Sequence, residues 1–427
     1  MQKWTEFGSV WRRRTATTGG AVLIGLVALA FAASADAAQE AFHWILDRFP
    51  LAPLLLTPAA YGLIVWTTRR FAPEARGSGI PQVIAGSHNA ASEANARLTS
   101  LRTAAFKFVL TVLALFAGGS VGREGPTVQI SAAIMEATHR LFRVPLTAAV
   151  TIAGGAAGVS AAFNTPLAGV AFAIEELASA YEQRLALLVM AAVMISGLVS
   201  LGIAGDYLYF GAVHDALTIK AAIMIAPVAG VLGGLSGGVF SRIMLWFTAS
   251  DWSPVAKLRQ RPILWAVLAG LIIALIGVFG AGLTWGTGYG VSRNIIEGGT
   301  EPLWFGPAKM ATTLLTALSG IPGGIFAPSL AAGTGLGQML SAIFPDQPVG
   351  AVVLLGMIAY FVGVVRAPLT AVLIVSEMTD SHKLILPLFA AAIIADGVSA
   401  LICKERLYHG LSRGFRDKPE APPTTAA

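Results

Sequence analysis

The strongest constraint on this chain is a series of apolar segments, most of them close to the thickness of a bilayer, some interrupted by glycine and proline. A helix that crosses the hydrocarbon core needs about 20 mostly apolar residues. Runs of this kind occupy residues 104–121, 185–203, 221–239, 263–279 and 384–402, and a shorter one occupies 21–33. Residues 144–174 are apolar as well, but Gly154, Gly155, Gly158, Asn164 and Pro166 break the run. In lipid a freed N–H or C=O finds no water. Such breaks therefore persist only where the backbone is buried in protein or lines a wet cavity. The chain reads as an all-α polytopic membrane protein, one transmembrane transport domain over residues 1–427 with a proline-rich, disordered tail at 419–427.

Only 12% of the residues are charged and the mean hydropathy is +0.71, whereas soluble domains carry about 25% charged residues. The net charge of +6 raises the question of nucleic acid. The positions of the basic residues argue against it. They gather at the ends and in short loops: Arg12, Arg13 and Arg14, then Arg69 and Arg70, then Lys404, Arg406, Arg413, Arg416 and Lys418. That distribution follows the positive-inside rule and places both termini in the cytoplasm, with an even number of crossings. Arg12 to Arg14, an apolar stretch and Ala35-Asp36-Ala37 follow one another as the parts of a cleaved signal peptide do. We read them instead as a short cytoplasmic segment and a first spanning helix. Cys403 is the only cysteine, so no disulfide framework or cysteine metal site arises. The histidines, His43, His88, His139, His214, His382 and His409, form no metal-binding spacing. No cofactor or metal is expected. An intramembrane enzyme would need a nucleophile with a base, and Ser78 has no histidine or lysine near it in sequence.

A repeat runs through the chain at an offset of 202 residues. Gly122-Arg-Glu-Gly-Pro126 aligns with Gly324-Ile-Phe-Ala-Pro328. In the same register Gly154 meets Gly356, Ala157 meets Ala359, Pro166-Leu167 meets Pro368-Leu369, Val170 meets Val372 and Glu175 meets Glu377. The halves fall at roughly 1–208 and 209–418. Transporters built from repeats bind substrate at the repeat interface, between discontinuous helices.

Three turns share one chemistry: Gly77-Ser78-Gly79-Ile80-Pro81, Gly122 to Pro126 and Gly324 to Pro328. Proline suits the first helical turn, where a missing N–H costs nothing. Glycine lets the backbone approach a ligand. What remains is a set of free N–H groups at the positive end of a helix dipole, which favours anions. Neutral donors bind an ion and release it, as conduction requires. Ser78 adds a hydroxyl. Glu124 stands out, because a charge in the membrane costs roughly 2.5–3.5 kcal/mol at a helix centre. At a helix N-terminus it can occupy the anion site itself and compete with a transported anion. Protonation would free the site. Glu175 and Glu176 point about 100° apart on a helix. Glu175 has a repeat partner and reads as structural. Glu176 faces Met378 in the register and is the better candidate for relaying protons.

GSGIP at 77–81, GREGP at 122–126 and GIFAP at 324–328, in this order, resemble the three signature turns of CLC chloride channels and transporters. Ala161-Ala-Phe-Asn-Thr-Pro-Leu-Ala-Gly169 and Glu377-Met-Thr-Asp380 also look like family sequence, and the similarity extends from about residue 70 to Tyr408. The resemblance implies a fold of about eighteen unequal helices in two inverted-topology repeats. It further implies a homodimer in the bacterial inner membrane, with a separate pathway in each subunit. Ser78 and Tyr408 would donate hydroxyls to a central chloride, with backbone N–H groups of Ile325 and Phe326. Those of Arg123, Gly125, Phe326 and Ala327 would line the outer sites. Glu124 would be the external gating glutamate, and Glu176 the internal proton glutamate of the exchangers. Gln82 and Ile84 depart from acidic residues of some relatives, which bears on the internal proton route. Serine at 78, where nitrate-preferring members have proline, favours chloride. The nineteen residues after Tyr408 leave no room for the paired regulatory domains of many eukaryotic members. The expected activity is exchange of chloride for protons; a passive chloride channel gated by Glu124 is the alternative.

Overall fold

A computed structural model describes residues 2–88, 93–177, 183–205 and 208–416. Lys418 and the tail at 419–427 lie outside the described residues. Among those described, nineteen α-helices of 6 to 47 residues make up an all-α fold without strands. Five are long and apolar enough to cross a membrane: Ser9–Arg48, Ala186–Ala204, Ile219–Ala249, Pro262–Phe279 and His382–Ile402.

Two segments differ from the sequence reading. The short run at 21–33 lies inside one helix, Gln2–Arg48. Alanine is the best helix former, and the alanines from Ala32 to Ala41 carry the helix past the apolar stretch. The run at 104–121 is not one continuous helix. The Leu101–Phe116 helix stops, and Gly118 turns the chain at φ 74°. A Cβ there would come within 2.5 Å of the Phe42 ring and 2.7 Å of Trp285.

The broken segment behaves as its composition requires. Helix Ala148–Phe163 is almost wholly buried, Asn164 takes a left-handed conformation (φ 57°), and Pro166–Phe172 follows. The second half repeats this. Val349–Val365 leads to Arg366 at φ 60° and then to Pro368–Thr379. The linking residues match too: Thr165 has φ −128° and ψ 83°, and Ala367 has φ −126° and ψ 76°.

The two copies meet in opposite chain directions. Gly122 N–H donates to Gly324 O at 2.7 Å, and Gly324 N–H donates back to Gly122 O at 2.8 Å. Helices Glu124–Leu141 and Phe326–Ile343 therefore start side by side. A second exchange lies further along. Glu377 accepts from Leu167 N (3.2 Å) and Ala168 N (3.0 Å) at the start of Pro166–Phe172. Glu175 accepts from Leu369 N (3.1 Å), Thr370 N and Thr370 Oγ1 (both 2.8 Å) at the start of Pro368–Thr379. Each repeated glutamate caps the other half's helix, which is a structural role.

The register also extends further than the sequence reading took it. Lys107 and Lys309 stand 202 residues apart and are both fully buried. Lys107 Nζ donates to Gly77 O at 2.7 Å, and Lys309 Nζ donates to Gly286 O at 2.7 Å and Thr284 O at 2.9 Å. The clamped turn Gly286-Thr287-Gly288-Tyr289 is thus the structural counterpart of Gly77-Ser78-Gly79-Ile80, at an offset of 209, because the stretch from turn to lysine is seven residues shorter in the second half. In both, two glycines with positive φ precede a helix start.

Candidate functional site: an anion site between helix N-termini

The three signature turns are tied together by their backbones. Gly77 N–H donates to Ile321 O at 3.2 Å, and Gly323 N–H donates to Gly77 O at 3.1 Å. The Gly122–Gly324 pair joins the other two. A Cβ on Gly125 would collide with Ser78 Oγ and stand 3.0 Å from Ser78 O, so glycine is what lets the second turn close on the first. The starts of helices Ile80–His88, Glu124–Leu141 and Phe326–Ile343 consequently gather around Ser78. Each brings N–H groups that no residue of its own helix can bond.

Tyr408 arrives from the far end of the chain. It lies on the short helix Leu407–Ser412, and its ring packs 5.9 Å from that of Phe326. Ser78 Oγ and Tyr408 Oη are both buried and lie near one another, and neither makes a hydrogen bond of good geometry to any other group of the protein. A buried donor without an acceptor costs about 1–3 kcal/mol, and an anion seated between them would accept from both. A cavity of about 640 Å³ reaches Ser78, Ile325 and Tyr408. Arg69, Arg76, Arg259 and Arg413 line its sides with one acid, Glu405, which pairs with Arg413 at 2.7 Å, so the lining is basic on balance. The resulting positive potential concentrates anions at its mouth.

Glu124 is fully buried at the first position of its helix. One carboxylate oxygen accepts from Tyr289 Oη at 2.5 Å, and the other has no partner. A Cβ on Gly122 would collide with that second oxygen, so glycine at 122 makes the room it occupies. The Arg123 side chain points away from the turn. It donates to Ala32 O and Asp36 Oδ1, each at 2.8 Å, and to Tyr209 Oη at 2.7 Å. At the turn Arg123 presents its backbone N–H, as do Gly125, Ile325, Phe326 and Ala327.

Glu175 and Glu176 lie on a π-helical turn, Ala173–Leu177, that ends the Pro166–Phe172 helix. Such turns are frequent at functional sites. They diverge as expected: Glu175 reaches the other half, and Glu176 is fully buried. His409 Nδ1 lies 3.4 Å from Glu176 Oε1, and the His409 side chain is 37% exposed. Gln82 donates from its side-chain amide to Glu74 O (3.0 Å) and Arg76 O (2.7 Å). A carboxylate could not donate these bonds, so here position 82 holds the loop before the first turn.

The structure therefore brings Ser78, Tyr408, Glu124 and the N–H groups at 123, 125 and 325–327 into one region, with Glu176 beside the residue that follows Tyr408. Four further side chains were not picked out from the sequence: Tyr289, His409, Lys107 and Lys309. The lysines carried a readable signal, each a charge in the middle of an apolar helix and each in the repeat register. Tyr289 had a weaker one, as the end of a second G-x-G turn. His409 had none beyond its place next to Tyr408.

Helix N-termini converging on two buried hydroxyls inside an apolar, multi-pass helical fold define an anion-handling membrane protein. A profile of the voltage gated chloride channel family matches residues 60–400. The H(+)/Cl(-) exchange transporter ClcA of Klebsiella pneumoniae is 33% identical over 435 aligned residues, covering 93% of this chain and 88% of the relative. ClcA of Vibrio campbellii is 32% identical over 389, covering 84% and 79%. Among solved structures, a slow cyanobacterial Cl-/H+ antiporter superposes with a TM-score of 0.80 at 25% identity, over 95% of this chain and 98% of that one. The chain belongs to the CLC family.

Proposed function

We propose that this protein exchanges chloride for protons across the membrane, with Glu124 as the group that couples the two ions. The observation that carries the reading is the pairing of an anion site with a buried carboxylate at the same helix N-termini. Chloride is held centrally by Ser78 Oγ, Tyr408 Oη and the N–H groups of Ile325 and Phe326. Further out it is held by the N–H groups of Arg123, Gly125, Phe326 and Ala327. A charged Glu124 competes with chloride for these dipoles; a protonated one does not. Binding a proton therefore opens the anion path, and releasing it closes the path. Glu176 passes protons between Glu124 and the cytoplasmic side, and His409 is its contact with that side. The basic cavity admits chloride by a separate route. The identity of the curated relatives as H(+)/Cl(-) exchange transporters supports the assignment of both ions.

Two further parts of the reading follow from the family and the charge pattern. Both termini face the cytoplasm, and the protein works as a homodimer with one pathway per subunit. The exposed apolar residues Leu187, Met190, Met194 and Leu198 form a helix face suited to lipid or to a second subunit.

The test is to reconstitute the protein in chloride-loaded vesicles and record chloride and external pH together. Chloride leaving down its gradient while protons move uphill the other way is the expected result. Chloride flux without protons would make the protein a channel with a glutamate gate. No chloride flux would refute the reading.

A further inference from the structure

The hydrogen bond from Tyr289 to Glu124 is not accounted for by the chloride site or by the proton route. Tyr289 is the first residue of helix Tyr289–Ile296, straight after the Gly286-Thr287-Gly288 turn. The buried Lys309 clamps that turn through Gly286 O at 2.7 Å. The ring is fixed on its faces as well as at its base. It stacks on Tyr209 with centroids 4.8 Å apart and meets Phe210 edge-on at 5.3 Å. The Tyr209 hydroxyl is in turn held by Arg123 Nη2 at 2.7 Å, and Arg123 Nη1 is held by Asp36 at 2.8 Å. Asp36 is half-exposed. A continuous set of contacts thus leads from the protein surface to a hydroxyl aimed at the gate carboxylate.

We propose that Tyr289 is a positioning residue that latches Glu124 in the place seen here and so limits how often the gate moves. The physical argument rests on what each carboxylate oxygen has. One accepts from Tyr289 at 2.5 Å, and the other accepts nothing. The Tyr289 bond is therefore what favours this placement over any other the side chain can take at the helix N-termini. Hydrogen bonds to an ionised acceptor are about twice as strong as neutral ones. The repeat sharpens the point. Ile80 holds the matching position in the first half and has no hydroxyl, so the scaffold does not need one there. The latch depends on the reading of Glu124 as the gate, and the experiment separates the two.

Four proteins are compared in vesicles, with chloride and proton rates recorded together: the native chain, Tyr289→Phe, Glu124→Ala, and the double variant. Phenylalanine keeps the stack with Tyr209 and removes only the donor. Tyr289→Phe is expected to speed coupled exchange about tenfold, the scale of one charged hydrogen bond. In the Glu124→Ala background the same change should leave chloride flux within about twofold of the single variant, since there is nothing to latch. Flux at that level in the double variant also shows that the fold tolerates the loss of the hydroxyl. An unchanged or slower rate in Tyr289→Phe would overturn the latch. So would an equal gain in both backgrounds, which would mean that the ring acts on the pore and not on the gate. Protons still moving in Glu124→Ala would overturn the gate itself.

Discussion

Glu377→Ala tests the claim that the repeated glutamates hold the two halves together. The carboxylate accepts two backbone N–H groups, from Leu167 at 3.2 Å and Ala168 at 3.0 Å. Both belong to the first turn of Pro166–Phe172, a seven-residue helix with no side-chain cap of its own. The Leu167 residue is 60% exposed, so its N–H can find another partner, whereas Ala168 is fully buried and its N–H cannot. Losing an N-cap costs about 0.5–2 kcal/mol, and stranding a buried donor costs about 1–3 kcal/mol. These overlap, and the expected loss is about 2–3 kcal/mol. Glu175→Ala removes three bonds, one from a side-chain hydroxyl, and should cost about 1 kcal/mol more. Unfolding from detergent is commonly irreversible, so the useful measure is half-life at raised temperature, followed by size-exclusion chromatography. A loss of about 2 kcal/mol shortens it by at most about 30-fold. The expected order is native, then Glu377→Ala, then Glu175→Ala, with the glutamine variants between, since an amide oxygen still accepts. Surviving protein should exchange both ions at the native ratio. A Glu377→Ala protein as long-lived as the native one, or a stable one that moves chloride without protons, would refute the capping role.

Glu124→Ala should keep or raise chloride flux and abolish proton movement in the vesicle recording, because competitor and proton carrier are the same group. Glu176→Ala should also abolish proton movement, with chloride binding unchanged by calorimetry. His409→Ala should slow both ions together at an unaltered ratio, and an unchanged rate would remove His409 from the proton route. Gly125→Ala places a methyl against Ser78 Oγ and Ser78 O; overpacking of this kind costs typically about 1–3 kcal/mol. Chloride affinity should drop by about tenfold or more, and native affinity in this variant would show that Ser78 does not hold the ion.

The scaffold was legible because it is built from patterns that periodicity, proline and glycine mark directly. Pro81, Pro126 and Pro328 read as first-turn prolines, and each lies in the first turn of a helix; Pro166 reads as a break, and a helix ends just before it. Gly122, Gly125 and Gly324 read as letting the backbone approach a ligand; what the structure shows is close packing of the turns themselves, since a Cβ at each would meet the neighbouring turn or the Glu124 carboxylate. Glu175 and Glu377 read as structural from their shared register, and they cap one another's helices. The run at 104–121 misled because hydropathy does not register a single left-handed glycine, Gly118. The contacts of Tyr289 and His409 were invisible for a different reason. They join positions 165 and 233 residues apart in the chain, and no repeat or spacing links such pairs.

A distinction follows that the repeat makes available. Where the halves match, the residues hold the fold: Lys107 with Lys309, Glu175 with Glu377, and Gly122 with Gly324. Where they differ, the proposed chemistry gathers. Glu124 faces Phe326 and Glu176 faces Met378 at the offset of 202, and Tyr289, at an offset of 209, follows a lysine-clamped turn as Ile80 does in the first half. Two symmetric halves supply helix dipoles from both sides, which suits an anion that must bind and leave. Symmetry alone provides no titratable group and hence no coupling to protons. Each of the two carboxylates assigned to proton transfer occupies a site where one half carries an acid and the other an apolar side chain. On this argument the anion path belongs to the repeat, and coupling to protons belongs to its exceptions.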